Sequence, residues 1–285
     1  MRQRFVACLS PAGFHRMAYV EWGDPGNPKV LVCVHGLTRT GRDFDCLARA
    51  LADEYRVVCP DVAGRGLSDP FADPALYAVP QYAQDMATLL ARLDVETVDW
   101  LGTSMGGLIG MALAAQRNSP IRRLILNDVG PAVSAPALKR IGAYLAGAPD
   151  RFADFGAVVA YVRATYGAFG PHTEAQWREL ARNTVRPDGQ GGWACHYDRG
   201  IVTAFGQAAA ALDGRDMELW PLYDAIRCPT LAIRGELSDL LTRETLAAMA
   251  ERGPQAKTAE VPGVGHAPTF MHDAQVAMVR EFLRS

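Results

Sequence analysis

No stretch of this 285-residue chain is apolar over the roughly 20 residues that a membrane-spanning helix needs, so an integral membrane protein is not expected. Excess positive charge is lacking too. The formal net charge is −2, and no basic run or low-complexity tract appears, which leaves no electrostatic case for nucleic acid or an anionic membrane surface. The six cysteines, at 8, 33, 46, 59, 195 and 228, include no C-x-x-C pair. A disulfide scaffold does not suit a chain of this length, so buried thiols in a reducing compartment are expected. The basic start, Met1-Arg2-Gln3-Arg4-Phe5, lacks the apolar core of a signal peptide, and we expect a soluble, cytoplasmic protein. Gly64-Arg65-Gly66 and Gly263-Val264-Gly265 do not continue into a dinucleotide fingerprint. A phosphate-loop lysine, an H-E-x-x-H pair and a Cys/His cluster of metal spacing are all missing. Neither cofactor nor metal is therefore expected.

What is present is alternation. Short apolar runs at Lys29–His35, Arg56–Val62, Thr97–Leu101, Ile121–Val129, Cys228–Arg234 and Thr258–Val261 read as strands buried on both faces of a parallel sheet. Helical patterns fall between them at about 42–53, 80–93, 105–117, 242–252 and 273–284. Strand–helix alternation of this kind predicts an α/β fold with helices on both faces of a mostly parallel sheet. The first segment and Met17–Trp22 read as antiparallel edge strands. Between Val129 and Cys228 the rhythm stops. Helices are expected near 136–146, 152–166, 173–184 and 199–212, with no convincing strand. This third of the chain holds 12 of the 24 aromatic residues, which suggests an apolar insert covering something. The expected division is a core of 1–131 and 228–285 with a helical cap of 132–227.

Gly102-Thr103-Ser104-Met105-Gly106 places one serine between glycines, after a strand and before a helix. A sharp strand-to-helix turn strains its central residue, and side chains two positions away would collide. Glycine at 102 and 106 removes the collision and leaves the hydroxyl exposed. Serine needs a positioned base to act as a nucleophile. His266 follows the last strand, in a loop opening at the carboxyl edge of the sheet, where α/β ligand sites lie. His35 precedes the serine, and His15, His172, His196 and His272 are worse placed. The acid that orients the base is open at this point. Asp239, after the strand that resumes beyond the insert, is favoured. Asp128, at the end of the strand before the insert, is the alternative, and Glu236 a third. Oxyanion donors are expected from the backbone N–H groups of Met105 and Leu37. His35, Gly36 and Arg39, on the same loop as Leu37, are candidate substrate-binding residues. Arg39 reads either as a partner for a substrate carboxylate or as a structural arginine.

These residues resemble the α/β-hydrolase superfamily over the whole chain. The resemblance rests on Val34-His35-Gly36, Pro60-Asp61-Val62-Ala63-Gly64-Arg65-Gly66-Leu67-Ser68, the serine turn, and Gly263-Val264-Gly265-His266. It implies an eight-stranded sheet and a helical cap after the sixth strand, as in the cofactor-free esterases, enol-lactonases and carbon–carbon bond hydrolases. Serine at 104 sets the chain apart from the dehalogenases and epoxide hydrolases, which use aspartate there. In many relatives the acid stands where this chain has Ser238, and in others after the sixth strand, where it has Asp128. The expected activity is two-step acyl transfer on a small to medium carboxylic ester or lactone. Perhydrolysis, halide peroxidation, cyanohydrin cleavage or ligand reception without catalysis are the other roles such a fold performs.

Overall fold

The computed structural model describes residues 1–285. In chain order the elements are β1 (Arg2–Ser10), β2 (Gly13–Trp22), β3 (Val30–Val34), α1 (Asp45–Leu51), β4 (Arg56–Pro60), α2 (Val79–Arg92), β5 (Val98–Thr103), α3 (Met105–Ala114) and β6 (Ile121–Asn127). Then come β7 (Ala132–Val133), α4 (Ala135–Ala146), α5 (Phe155–Tyr166), α6 (Glu174–Thr184), β8 (Val185–Pro187), β9 (Trp193–Cys195), α7 (Gly200–Ala211), β10 (Met217–Glu218) and α8 (Trp220–Asp224). The chain closes with β11 (Thr230–Gly235), α9 (Arg243–Glu251), β12 (Lys257–Val261) and α10 (Asp273–Arg284). No helix is long and apolar enough to cross a membrane.

One eight-stranded sheet runs in the order β1-β2-β4-β3-β5-β6-β11-β12. The β1–β2 and β2–β4 pairs are antiparallel, and the pairs from β4 to β12 are parallel. The mostly parallel sheet and the antiparallel edge are as the sequence predicts. Strand β3 shows why its apolar run is unbroken. Val30, Val32 and Val34 pack with Met86 and Leu89 of α2 and Met111 of α3, while Leu31 and Cys33 pack with Leu47 of α1 and Val279 of α10. Successive side chains of a strand point to opposite faces, and here both faces are covered. All six cysteines are free thiols.

Between β6 and β11 the four expected helices appear as α4 to α7, with two small apolar clusters, one of which also takes in Leu240 beyond β11. Helix α6 starts at a reciprocal cap, in which Thr173 and Gln176 each bond the other's backbone N–H. The structure corrects the expectation of a strandless insert. The β7–β10 and β8–β9 pairs are antiparallel ladders of two and three residues per strand. Elements this short show no readable alternation of side chains.

Candidate active site

Ser104 stands between β5 and α3 with φ 52° and ψ −115°, in the left-handed region that a serine seldom adopts. A Cβ on Gly102 would lie 2.2 Å from the Gly106 carbonyl carbon, and one on Gly106 would lie 2.0 Å from the Val34 carbonyl oxygen. Neither position admits a side chain. The turn therefore holds the hydroxyl at the carboxyl edge of the sheet, at the head of α3.

His266 Nε2 lies 3.0 Å from Ser104 Oγ, and His266 Nδ1 lies 2.7 Å from Asp128 Oδ2. Asp128 is fully buried just past β6. Its Oδ1 accepts the Gly235 N–H at 2.8 Å, and its Oδ2 accepts the Ser238 hydroxyl at 2.6 Å. Its own N–H bonds the Ile233 carbonyl of the neighbouring strand. A carboxylate that accepts from two fixed donors can hold an imidazole N–H in one orientation.

The favoured acid is therefore corrected. Asp239 faces outward and binds the Arg140 guanidinium through Nε at 2.5 Å and Nη2 at 2.7 Å. The Glu236 carboxylate accepts the Gly263 N–H. Neither meets His266. Sequence reasoning missed Ser238 as a partner of the acid. Its position in the family pattern was a usable signal, since the side chain there faces the imidazole's partner.

The two candidate oxyanion donors both have N–H groups without a backbone partner. Met105 opens α3, so its N–H has no partner within the helix. The Leu37 N–H has none in its loop. The cause lies in His35. Its Nε2 accepts the Val62 N–H at 2.9 Å, so the proton sits on Nδ1, which donates to the Gly36 carbonyl at 2.7 Å. That carbonyl also accepts the Arg39 N–H at 3.2 Å. A trans peptide points its C=O and N–H opposite ways, so fixing the Gly36 oxygen aims the Leu37 N–H away from His35. Arg65, fully buried and unread at the level of sequence, holds the next carbonyl, that of Leu37, through Nε at 2.8 Å.

Two of the three candidate substrate-binding residues change role. His35 is 1% exposed and absent from the cavity wall, so it positions backbone instead of touching substrate. Arg39 reaches the wall, but its charge is met by Asp43 through Nε and Nη2, with Thr184 and the Leu180 carbonyl taking further donors. It ties the loop to α6. Gly36 does line the cavity, where a Cβ would come 3.7 Å from the Ser104 Cβ.

Burial pushes the His35 imidazole down to about 3, with the charges of Arg65 and Arg39 adding to the effect. In the unfolded chain the ring titrates near 6.5. Its contribution is fully present above pH 6.5 or so and falls as the pH drops toward 3, because the unfolded state takes up the proton first. Asp61, pushed up to about 6 by burial, works in the opposite sense. The informative quantity is thus the stability difference between wild type and His35→Gln, in which Asp61 cancels. By linkage this difference should narrow by about 2–3 kcal/mol between pH 7 and about pH 4.5 in urea denaturation. A difference independent of pH would show that His35 is not held neutral.

Cys8, His15 and Asp85 form a second polar cluster, where β1 and β2 meet α2. Their polar atoms lie within 4.8 Å of one another, which is near enough to share a metal ion. The Asp85 carboxylate already bonds His15 Nε2 at 3.0 Å and the Gln81 amide at 2.8 Å. None of these residues reaches the cavity at Ser104.

That cavity has a volume of about 610 Å³, and 24 of its 33 lining residues are hydrophobic. Ser104, His266, Leu37 and Met105 stand on one side. Leu138, Ile141, Tyr144, Tyr166, Phe169 and Phe205 come from the segment between β6 and β11. A hydroxyl, a base, an acid and two free N–H groups at an apolar cavity are equipped to transfer an acyl group.

The chain is 55% identical to a 3-hydroxybutyrate-oligomer hydrolase of Cupriavidus necator, over 99% of this chain and 97% of that protein. It is 27% identical to a 2-(acetamidomethylene)succinate hydrolase of Mesorhizobium japonicum, over 85% of this chain and 83% of that protein. The crystal structure of an alpha/beta hydrolase from Novosphingobium aromaticivorans superimposes with a TM-score of 0.84 at 36% identity, covering 99% of this chain and 98% of that one. Residues 29–273 match the alpha/beta hydrolase fold family, and the chain belongs to that family.

Proposed function

We propose that the protein is a serine esterase that cuts short linear esters of 3-hydroxy acids through an acyl-enzyme on Ser104, with segment 132–227 as the cap that shapes the substrate cavity. The observation that carries the chemistry is the line Ser104 Oγ, His266 and Asp128, with contacts of 3.0 and 2.7 Å, opening on that cavity. The substrate class is supported by the relative at 55% identity, whose name specifies oligomers of a 3-hydroxy acid. Such a chain alternates ester groups with short alkyl units. A mostly apolar wall with a few hydroxyls, such as those of Thr38, Tyr144 and Tyr166, suits it.

The steps follow from the contacts. His266 Nε2 takes the Ser104 proton as Oγ attacks the ester carbonyl carbon. The tetrahedral oxygen receives the N–H groups of Leu37 and Met105. Asp128 stabilises the imidazolium. The ester C–O bond breaks, and His266 gives its proton to the departing 3-hydroxyl. Water, deprotonated by the same imidazole, then attacks the acyl carbon. The proton returns to Ser104 and the shortened acid leaves.

Product analysis tests the substrate class. Wild type incubated with a linear trimer of 3-hydroxybutyrate should yield dimer and monomer acids, resolved by liquid chromatography. Folded wild type that cleaves p-nitrophenyl butyrate but leaves the trimer intact would retain the serine chemistry and overturn the oligomer assignment.

A further inference from the structure

A linear oligomer of hydroxy acids carries an ester at each internal linkage and a carboxylate at one end. An apolar cavity that accepts it must meet that charge somewhere. No aspartate or glutamate lines the cavity, and two arginines do, Arg39 and Arg140. Arg39 is spent. It is 5% exposed, makes four bonds to neighbouring residues, and its charge is matched by Asp43.

Arg140, on α4, also has its charge met, by Asp239, but it differs in exposure and in the number of its donors that are used. Its side chain is 47% exposed, between the cavity and solvent. Asp239 occupies one edge of the guanidinium through Nε and one N–H of Nη2. A guanidinium presents five N–H donors, and the second edge, formed by Nη1 and the other N–H of Nη2, has no partner in the protein. That edge is a planar fork matched to a carboxylate. Asp239 is itself 53% exposed and contributes nothing to the cavity wall, although its neighbour Leu240 does. An ion pair so open to water contributes little to stability. It does hold a long, flexible side chain across the seam between α4 and the loop after β11, and so presents the free edge in a fixed place.

We propose that Arg140 is a specificity-determining residue that binds the terminal carboxylate of the substrate, with Asp239 fixing its orientation. The inference rests on the oligomer-ester reading above. The carboxylate end sits at the cavity rim and the body of the oligomer runs inward to Ser104. The preference is then for carboxylate-terminated esters over neutral ones of the same length.

The test compares the linear 3-hydroxybutyrate trimer with its methyl ester, which differs only in the terminal charge. Wild type should favour the free acid in kcat/KM by about threefold to fivefold, the worth of one charged contact at a partly exposed site. In Arg140→Gln that ratio should fall to near one, mainly through KM for the acid. Arg140→Lys should retain part of it, since it keeps the charge and loses the fork. Raising salt should raise KM for the acid with wild type and have little effect for the methyl ester. This comparison stands even if a variant folds poorly. Equal treatment of the two substrates by wild type, or an equal loss on both in Arg140→Gln, would overturn the inference and leave the esterase reading intact. Wild type that cleaves neither trimer would overturn the oligomer reading and this inference with it.

Discussion

Replacing Ser104 with alanine should lower kcat for p-nitrophenyl butyrate by roughly 10⁵–10⁶-fold, the loss seen when the nucleophile of such a triad is removed. Alanine keeps the Cβ, so the strained backbone at φ 52° is no better or worse accommodated than before. The loss is therefore assignable to the hydroxyl and should leave the melting temperature nearly unchanged. A residual rate above that of water is expected, because the Leu37 and Met105 donors and the cavity remain. A loss below about tenfold would remove Ser104 from the chemistry.

The second large effect separates two aspartates. Asp128→Asn should lower kcat by roughly 10⁴-fold, because an amide has one acceptor oxygen where the carboxylate has two. Asp128 serves the Gly235 N–H, the Ser238 hydroxyl and His266 Nδ1. With an amide in its place, one of these donors faces an NH₂ group, and the imidazole turns or takes the wrong tautomer. Asp239→Asn loses an ion pair whose side chains are both about half exposed, and should stay within about threefold on the same neutral ester. Steady-state kinetics on the two variants decide between the acids. The reverse pattern would restore Asp239.

These two predictions mark where the sequence is legible. The serine turn can be read because its demands are mostly local. Gly102 answers a clash with Gly106 within the turn itself, while the clash at Gly106 is with the Val34 backbone of β3; the strand and helix around them follow from unbroken apolar runs. His266 can be read from its place after the last strand. The acid cannot be read this way, because β6 and β11 are neighbours in the sheet and both deliver an aspartate to the same edge. Which one turns inward depends on side-chain direction. Asp128 sits in a left-handed backbone conformation at φ 53°, tied to Ile233 and Gly235 of the adjacent strand, while Asp239 is drawn outward to Arg140 on α4. Those partners lie about 100 residues away in sequence, and periodicity carries no trace of them.

The same limit explains the loop after β3. Val34-His35-Gly36 marks a functional loop in sequence, but the division of labour within it emerges only in three dimensions. His35 turns back to Val62, Arg39 turns to Asp43, and Leu37 is left to offer its N–H. A histidine and an arginine beside Ser104 invite assignment to the substrate. Burial of 1% and 5% exposed surface, with near-complete internal bonding, assigns them to the backbone that serves it.

The most direct test of acyl transfer on Ser104 is to trap the intermediate. Wild type mixed rapidly with p-nitrophenyl butyrate, quenched in acid and digested should show, by mass spectrometry, a butyryl group on the peptide containing Ser104. The adduct should be absent from Ser104→Ala. An adduct on another residue, or rapid turnover by Ser104→Ala, would contradict the account.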